Sequence, residues 1–199
     1  MASKDRIQRV KDETRKNILL ASLKIVKEEG WAALSMRKIA DEIEYTAPII
    51  YEYFSNKDAI LMELTRKGFL MLARDMRAAK EKHHLPAKQL EAMWLAYWNF
   101  AFAEKELYQV MFGVEANCCE LCEIMPEAEV PYDLVSEVIE KLMADKKPTE
   151  DEISVKYYTF WSVIHGLISI NLVRRSPSDE VTQEVLKTAI SGIIRSLTA

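Results

Sequence analysis

Three cysteines are the most reactive side chains of this sequence, and they lie close together as CCxxC at Cys118, Cys119 and Cys122. A CxxC spacing can hold zinc or form a redox pair, and the neighbouring glutamates add possible oxygen ligands. The same carboxylates disfavour the thiolate, and no second CxxC or nearby histidine completes a tetrahedral site. We therefore interpret the cysteines as plain reduced thiols in a loop, with metal or thiol sensing as the alternative.

The histidines give no catalytic pattern. His83 and His84 are adjacent and point in different directions, which favours an exposed helix end over a metal site. His165 lies alone on an apolar segment, and the chain has no Ser/His/Asp pattern, no glycine-rich phosphate loop and no HExxH motif. We expect neither an enzyme nor a bound cofactor.

Side chains suited to nucleic acid gather between Ser35 and Lys57. Hydroxyl and cationic groups can contact phosphates, whereas small residues can approach base edges in a groove. We expect Thr46, Ala47 and Pro48 to face bases. Tyr45 belongs to the same predicted interface, and the expected phosphate contacts are Ser35, Arg37, Tyr51, Tyr53 and Lys57.

The apolar spacing of this segment predicts two short helices joined by a turn. Ser35 can cap the first helix, whose Ile39, Ala40 and Ile43 make one buried stripe, and the turn falls at Glu44 and Tyr45.

The second helix begins at Thr46, which can cap it, and Pro48 is tolerated in its first turn. Ile50 and Phe54 can pack inward, and Ser55 to Asp58 has the form of a capping box that begins a third helix. This arrangement predicts a helix-turn-helix that reads DNA.

Charge is distributed unevenly along the chain. The net charge is −4, but residues 1–57 carry 11 basic and 9 acidic side chains, whereas residues 58–199 carry 16 and 22. Glu44 and Glu52 add negative charge beside the reading helix, which leaves open an interaction protein with weakened DNA binding. The six basic residues among the first 16 are expected near phosphates or a minor groove: Lys4, Arg6, Arg9, Lys11, Arg15 and Lys16. For Lys4 to Arg9, a solvated tail is the alternative.

Residues 46–57, TAPIIYEYFSNK, resemble the signature that closes the recognition helix of the TetR family, and residues 14–43 resemble that family's first two helices. The resemblance implies a DNA-binding domain over residues 1–57, in which the matched tyrosines and lysine hold the DNA backbone. The family usually has glycine where this chain has Glu44, and a non-glycine residue fits there if its φ stays negative.

The remaining chain is expected to be helical. Only 5 glycines and 6 prolines interrupt 199 residues, which favours an all-α fold of about nine helices with a second domain over residues 58–199. No apolar run is long enough for a membrane and no signal core is present, so we expect a cytoplasmic protein.

Aromatic residues concentrate in the second domain and as a cluster are expected to border a cavity, although for any single one of them the core is the better interpretation. Residues 97–102 (YWNFAF), 107–113 (LYQVMFG) and 161–167 (WSVIHGL) resemble the ligand-side domain of TetR relatives named after a Trp-His-Gly signature. The predicted ligand-binding residues are Trp94, Tyr97, Trp98, Met111, Phe112, Trp161 and His165.

Two helices, at about 149–174 and 177–197, close the chain and carry broad apolar faces that little remaining chain could cover. A symmetric partner would cover them, so we expect a homodimer through these helices. The sequence thus predicts a repressor that leaves a palindromic DNA operator when a small hydrophobic or aromatic molecule binds.

Overall fold

The computed structural model describes residues 2–113, 125–173 and 179–198, and these ranges contain nine α-helices and no strand, which confirms the all-α prediction. The cysteines of the CCxxC pattern lie outside the described residues. The chain divides into two compact units, Met1–Thr65 and Arg66–Ala199. The helices are α1 Ala2–Glu29, α2 Met36–Glu42, α3 Ala47–Tyr53, α4 Lys57–Lys80, α5 Pro86–Ala103, α6 Lys105–Phe112, α7 Val130–Leu142, α8 Glu150–Val173 and α9 Asp179–Thr198.

The first unit has a small apolar core made by α1, α2 and α3 with the start of α4. Ile18, Ile39 and Ile50 are fully buried, and Phe54 is nearly so. Ile43, predicted to be buried, is only half-buried, because it is the residue that ends α2 and begins the turn. These contacts fix α2 and α3 as the predicted helix-turn-helix.

Helix caps in this unit follow the predictions in part. The Ser35 hydroxyl oxygen accepts a hydrogen bond from the Lys38 N–H at 3.2 Å, as predicted. Thr46 occupies the cap position of α3, but its side chain makes no capping hydrogen bond, so that expectation was wrong. The start of α4 is capped by Asn56, whose side-chain oxygen accepts from the Ala59 N–H at 2.8 Å, and not by Ser55.

Glu44 lies in the left-handed region with φ +58°, so the condition of a negative φ at this position is not met. The Tyr45 N–H donates to the Ala40 carbonyl at 2.9 Å, and the Glu44 N–H donates to the Asp41 carbonyl at 3.3 Å. This pair of bonds is a Schellman motif, which needs one left-handed residue just beyond the helix. A side chain there costs about 1–2 kcal/mol compared with glycine.

The second unit is organised around α5, which packs against α6, α7, α8 and α9. Its buried residues recur three and four positions apart and share one broad face, which is apolar and aromatic. They are Leu90, Met93, Trp94, Tyr97, Trp98, Phe100 and Ala101. Thr149 and Glu152 form a capping box at the start of α8.

The later turns of α4 belong to this unit. Gly68 faces Met111 of α6 so closely that a Cβ at position 68 would overlap the Met111 sulfur. Further along α4, Lys80 pairs with Glu137 of α7 at 2.5 Å. Hydrogen bonds from Lys141 and then from Lys80 lower the pKa of Glu137 to about 2, so this carboxylate stays charged.

No helix within the described ranges is both long enough and apolar enough to span a membrane.

We expect Gly68→Ala to destabilise the protein by about 1–3 kcal/mol, because buried Met111 must move to admit the methyl group. Gly192→Ala is the matched control, since no atom lies within 4 Å of a Cβ at that helical position. Thermal unfolding followed by circular dichroism measures both. Equal stability of the two variants would contradict the close α4 to α6 packing.

Candidate nucleic-acid interface and effector pocket

The outward face of α3 presents small, aromatic and acidic side chains. Pro48, Tyr51 and Glu52 are exposed, and Tyr51 and Glu52 follow Pro48 by three and four residues, so both lie on its side of the helix, while Ile50 packs inward. Tyr51 is 54% exposed and Tyr45 43% exposed, which is unusual for side chains of this size. This exposure suits a surface that binds a partner rather than a core.

The remaining predicted α3 residues differ in access. Thr46 is exposed, and its hydroxyl is not used for capping, whereas Ala47 and Tyr53 are half-buried. The Tyr53 backbone carbonyl accepts a hydrogen bond from Arg15 of α1 at 3.3 Å. Tyr53 is therefore attached more firmly to its own unit than Tyr51 is.

The basic side chains of the first unit differ in whether they already have a hydrogen-bond or ion-pair partner. Arg37 is exposed at the start of α2 and has no ion-pair partner among the described residues. Lys57 is half-buried, and its ammonium group donates to the Trp31 carbonyl at 3.3 Å. Lys38 pairs with Glu29. Of these three, Arg37 can contact a phosphate without giving up an existing bond.

Arg15, expected near phosphates, instead makes an ion pair with Glu63 of α4 at 3.1 Å. Its guanidinium also lies over the Phe54 ring, 4.4 Å from the ring centre. The charge pattern alone could not show this, because Glu63 is 48 residues away in sequence.

Aromatic residues of the second unit come together around α5 and α8, and a cavity bordered by them stays a prediction. Trp94 is 1% exposed and stacks on Phe160 with ring centres 5.3 Å apart, and its edge meets Tyr97 at 5.6 Å. Trp161 stacks on His165 at 4.7 Å, and Phe112 contacts both Trp161 and His165. Met111 is fully buried beside Gly68.

Trp98 lies apart from this cluster. Its ring contact among the described residues is with Phe102, at 4.8 Å. Tyr108, which the sequence prediction did not include, belongs to the cluster and packs against Phe112. Its spacing of three and four residues from Met111 and Phe112 places all three on one face of α6, and this signal could have identified it.

The polar centre of the cluster joins Tyr97, Tyr108 and His165. The Tyr108 hydroxyl lies 2.5 Å from His165 Nδ1, and the Tyr97 hydroxyl lies 3.3 Å from that of Tyr108 and 3.4 Å from Nδ1. Burial lowers the pKa of His165 and raises the pKa of both tyrosines. Neutral imidazole and protonated phenols follow, so the ring has one nitrogen that can accept a hydrogen bond and one N–H that can donate.

A second surface feature is a shallow groove along the outer side of α8, with a volume of about 690 Å³. It is separate from the aromatic cluster and is lined mainly by exposed residues, including Val155, Tyr158 and Val163. Within the described ranges no group of three His, Cys, Asp or Glu side chains could hold a metal ion.

This combination of an exposed helix-turn-helix with a separate helical unit defines a class of DNA-binding regulators. Residues 18–64 match the family model of bacterial regulatory proteins of the tetR family, and residues 90–192 match that of the tetracyclin repressor-like C-terminal domain. The chain belongs to the TetR family of transcriptional regulators, which are DNA-binding proteins and not enzymes.

Among similar proteins, the transcriptional repressor KstR of Rhodococcus jostii is 24% identical over 87% of this chain and 79% of its own. The transcriptional activator FasR of Mycolicibacterium smegmatis is 24% identical over 63% of this chain. Two of the curated relatives match over shorter segments, and the chain spans 50% and 60% of their lengths.

The fold resembles that of FadR from Bacillus subtilis in complex with stearoyl-CoA, with TM-score 0.71, 17% identity and coverage of 89% of this chain and 98% of FadR.

We expect Glu44→Gly and Glu44→Gln both to strengthen DNA binding, because each removes a negative charge beside the reading helix. Only Glu44→Gly should also raise the free energy of unfolding, by about 1 kcal/mol, since glutamine keeps the strained left-handed backbone. Electrophoretic mobility shift and thermal unfolding separate the two effects. Equal stabilisation by glycine and glutamine would contradict the strain assigned to Glu44.

Proposed function

We propose that this regulator binds a roughly palindromic DNA operator as a homodimer and represses transcription until a small hydrophobic molecule releases it. The observation that carries the proposal is the outward face of α3, with exposed Tyr51 and Pro48, beside Arg37, whose cation is unpaired within the described ranges. A groove accepts a helix whose outer side chains are small or flat, and phosphates favour an accessible guanidinium. We expect bases to meet Thr46, Ala47 and Pro48.

The other proposed phosphate contacts are Ser35, Tyr45, Tyr51, Tyr53 and Lys57. Tyr45 and Tyr51 are accessible without rearrangement, whereas Lys57 must give up its bond to the Trp31 carbonyl. Ser35 already uses its hydroxyl oxygen as a cap acceptor, which leaves its O–H as the donor. We therefore expect Arg37 and Tyr51 to contribute more to binding than Lys57.

The proposed dimer uses α8 and α9. Apolar side chains on these helices are exposed over a large area that a monomer would leave in water. A second copy of α8 and α9 would cover them and form a four-helix seam. Two reading helices about 34–36 Å apart would then enter successive major grooves. The exposed apolar residues are Val155, Tyr158, Val163, Ile170, Val173, Val181 and Val185.

The proposed effector binds the aromatic cluster of the second unit. Trp94, Tyr97, Met111, Phe112, Trp161 and His165 would supply apolar surface. The Tyr97, Tyr108 and His165 group is the one polar centre we assign to the effector, so the part of the molecule that enters the cluster should be hydrophobic with a single hydrogen-bonding group. The FadR relative that binds stearoyl-CoA makes long-chain acyl-CoA a reasonable first probe.

Release requires that the effector prefer one conformation of the dimer. A ligand shifts an equilibrium only by its difference in affinity between two states. Phe112 contacts Phe69 of α4 at 5.6 Å, and Met111 contacts Gly68, so an effector that displaces α6 would also disturb α4. Because α4 begins directly after the helix-turn-helix, its displacement is the proposed route by which operator affinity falls.

Arg37→Met should weaken binding to the duplex that the wild-type protein selects from a randomised DNA pool, and lower the salt slope by about one. Mobility shifts at several salt concentrations measure both quantities. Arg77→Met is the matched control, because Arg77 is an exposed arginine of the second unit and should leave binding unchanged. A wild-type protein that selects no duplex, or equal losses in the two variants, would contradict the proposal.

Tyr108→Phe should raise about tenfold the concentration of palmitoyl-CoA or stearoyl-CoA that releases the selected duplex, because it removes the polar end of the site but keeps the ring. Trp98→Phe should leave that concentration unchanged, since Trp98 lies outside the cluster. Both variants should bind the duplex like wild type without acyl-CoA. Absence of release by any acyl-CoA would reject this ligand class.

A further inference from the structure

One arginine connects three helices of the first unit. Arg15 of α1 donates through Nη1 to the Tyr53 carbonyl at 3.3 Å and through Nη2 to the Glu63 carboxylate at 3.1 Å. Its guanidinium also covers the ring of buried Phe54 at 4.4 Å. The contacts therefore reach the end of α3, the residue after it and the second turn of α4.

Two of these contacts restrain the reading helix at its C-terminal end, whereas Glu63 holds the arginine from α4. Tyr53 is the last residue of α3, so its carbonyl has no partner within the helix and needs an outside donor. A cation at this end also interacts favourably with the helix dipole. Phe54 begins the extended segment that leaves the helix, and the stacked guanidinium covers its ring.

The planar shape of the side chain is essential to this arrangement. The two terminal nitrogens point to different acceptors, while the flat face lies on an aromatic ring. A planar guanidinium can make all three contacts at the same time. A lysine would keep the positive charge but could supply only one point of contact. The side chain remains 42% exposed, so its role cannot be assigned from burial alone.

We propose that Arg15 is a positioning residue for the DNA-reading helix, acting through Tyr53 and Glu63, and is not a phosphate contact. The inference rests on the proposed operator binding. Positioning of α3 affects the fit to base edges, whereas a phosphate contact affects affinity for every sequence. Arg15 therefore governs how strongly this regulator prefers its operator over other DNA.

The test compares Arg15→Lys, Arg15→Met, Glu63→Gln and the Arg15→Lys/Glu63→Gln double variant. Lys16→Met is the control, because Lys16 is the next residue of α1 and is exposed. Each protein is titrated at several salt concentrations with the duplex selected by wild type and with a scrambled duplex of the same length. Circular dichroism and thermal unfolding establish which variants are folded.

We expect Arg15→Lys and Glu63→Gln each to weaken binding to the selected duplex about tenfold, with a wild-type salt slope and unchanged binding to scrambled DNA. The double variant should lose little more than either single variant, because both break the same contact. Lys16→Met should leave the preference for the selected duplex unchanged. If Arg15→Lys fails to fold, Glu63→Gln decides the result.

Three results would overturn the inference while leaving operator binding intact. In the first, Arg15→Lys binds the selected duplex like wild type. In the second, Arg15→Met lowers the salt slope by about one and weakens binding to both duplexes equally. In the third, Glu63→Gln binds the selected duplex as well as wild type or better. The last two are the behaviour expected of a phosphate contact and of simple charge removal. A wild-type protein that selects no duplex would overturn the proposed function itself.

Discussion

Tyr97 is only 2% exposed, so protein groups must replace the water that its hydroxyl loses on folding. Tyr108 and His165 provide those partners from α6 and α8. The same requirement keeps His165 neutral, because burial lowers its pKa and the tyrosine hydroxyls need an acceptor. The polar centre thus links three helices, and the aromatic rings around it follow from the apolar environment of α5.

The first unit meets a different constraint. Two of its helices, α2 and α3, have only 7 residues each, so unpaired end groups are a large fraction of their backbone polar groups. Ser35 caps the start of α2, the bonds from Glu44 and Tyr45 satisfy its end, and Arg15 bonds the last carbonyl of α3. With α3 only 7 residues long, its own hydrogen bonds could not hold it. The contacts of buried Ile50 and these end groups determine its direction.

Local patterns predicted most of the fold, because helix caps, prolines and apolar spacing act over a few residues. The Ser35 cap of α2 and the buried Ile39 and Ala40 of the same helix are examples. Prediction was weaker where two nearby groups could do the same task, as when Asn56 rather than Ser55 caps α4. It was weakest where the partner is distant in sequence, as with Arg15 and Glu63, or Lys57 and Trp31. The separation of Trp98 from the other aromatic residues likewise depends on how α5 is rotated among its neighbours.

The strained backbone of Glu44 affects the folding equilibrium, whereas its negative charge affects DNA binding. The left-handed backbone raises the energy of the folded state whatever partner is present, and it persists because two turn bonds and the neighbouring core require it. The carboxylate acts only when phosphates approach, and it opposes them together with Glu52. This repulsion weakens binding to DNA of every sequence. Tight binding to the operator must therefore come from contacts with its bases. Because two carboxylates lie at or beside α3, operator binding by this unit depends strongly on how well α3 fits the bases and on the groups that hold its end. A uniformly basic DNA-binding unit would depend on them less.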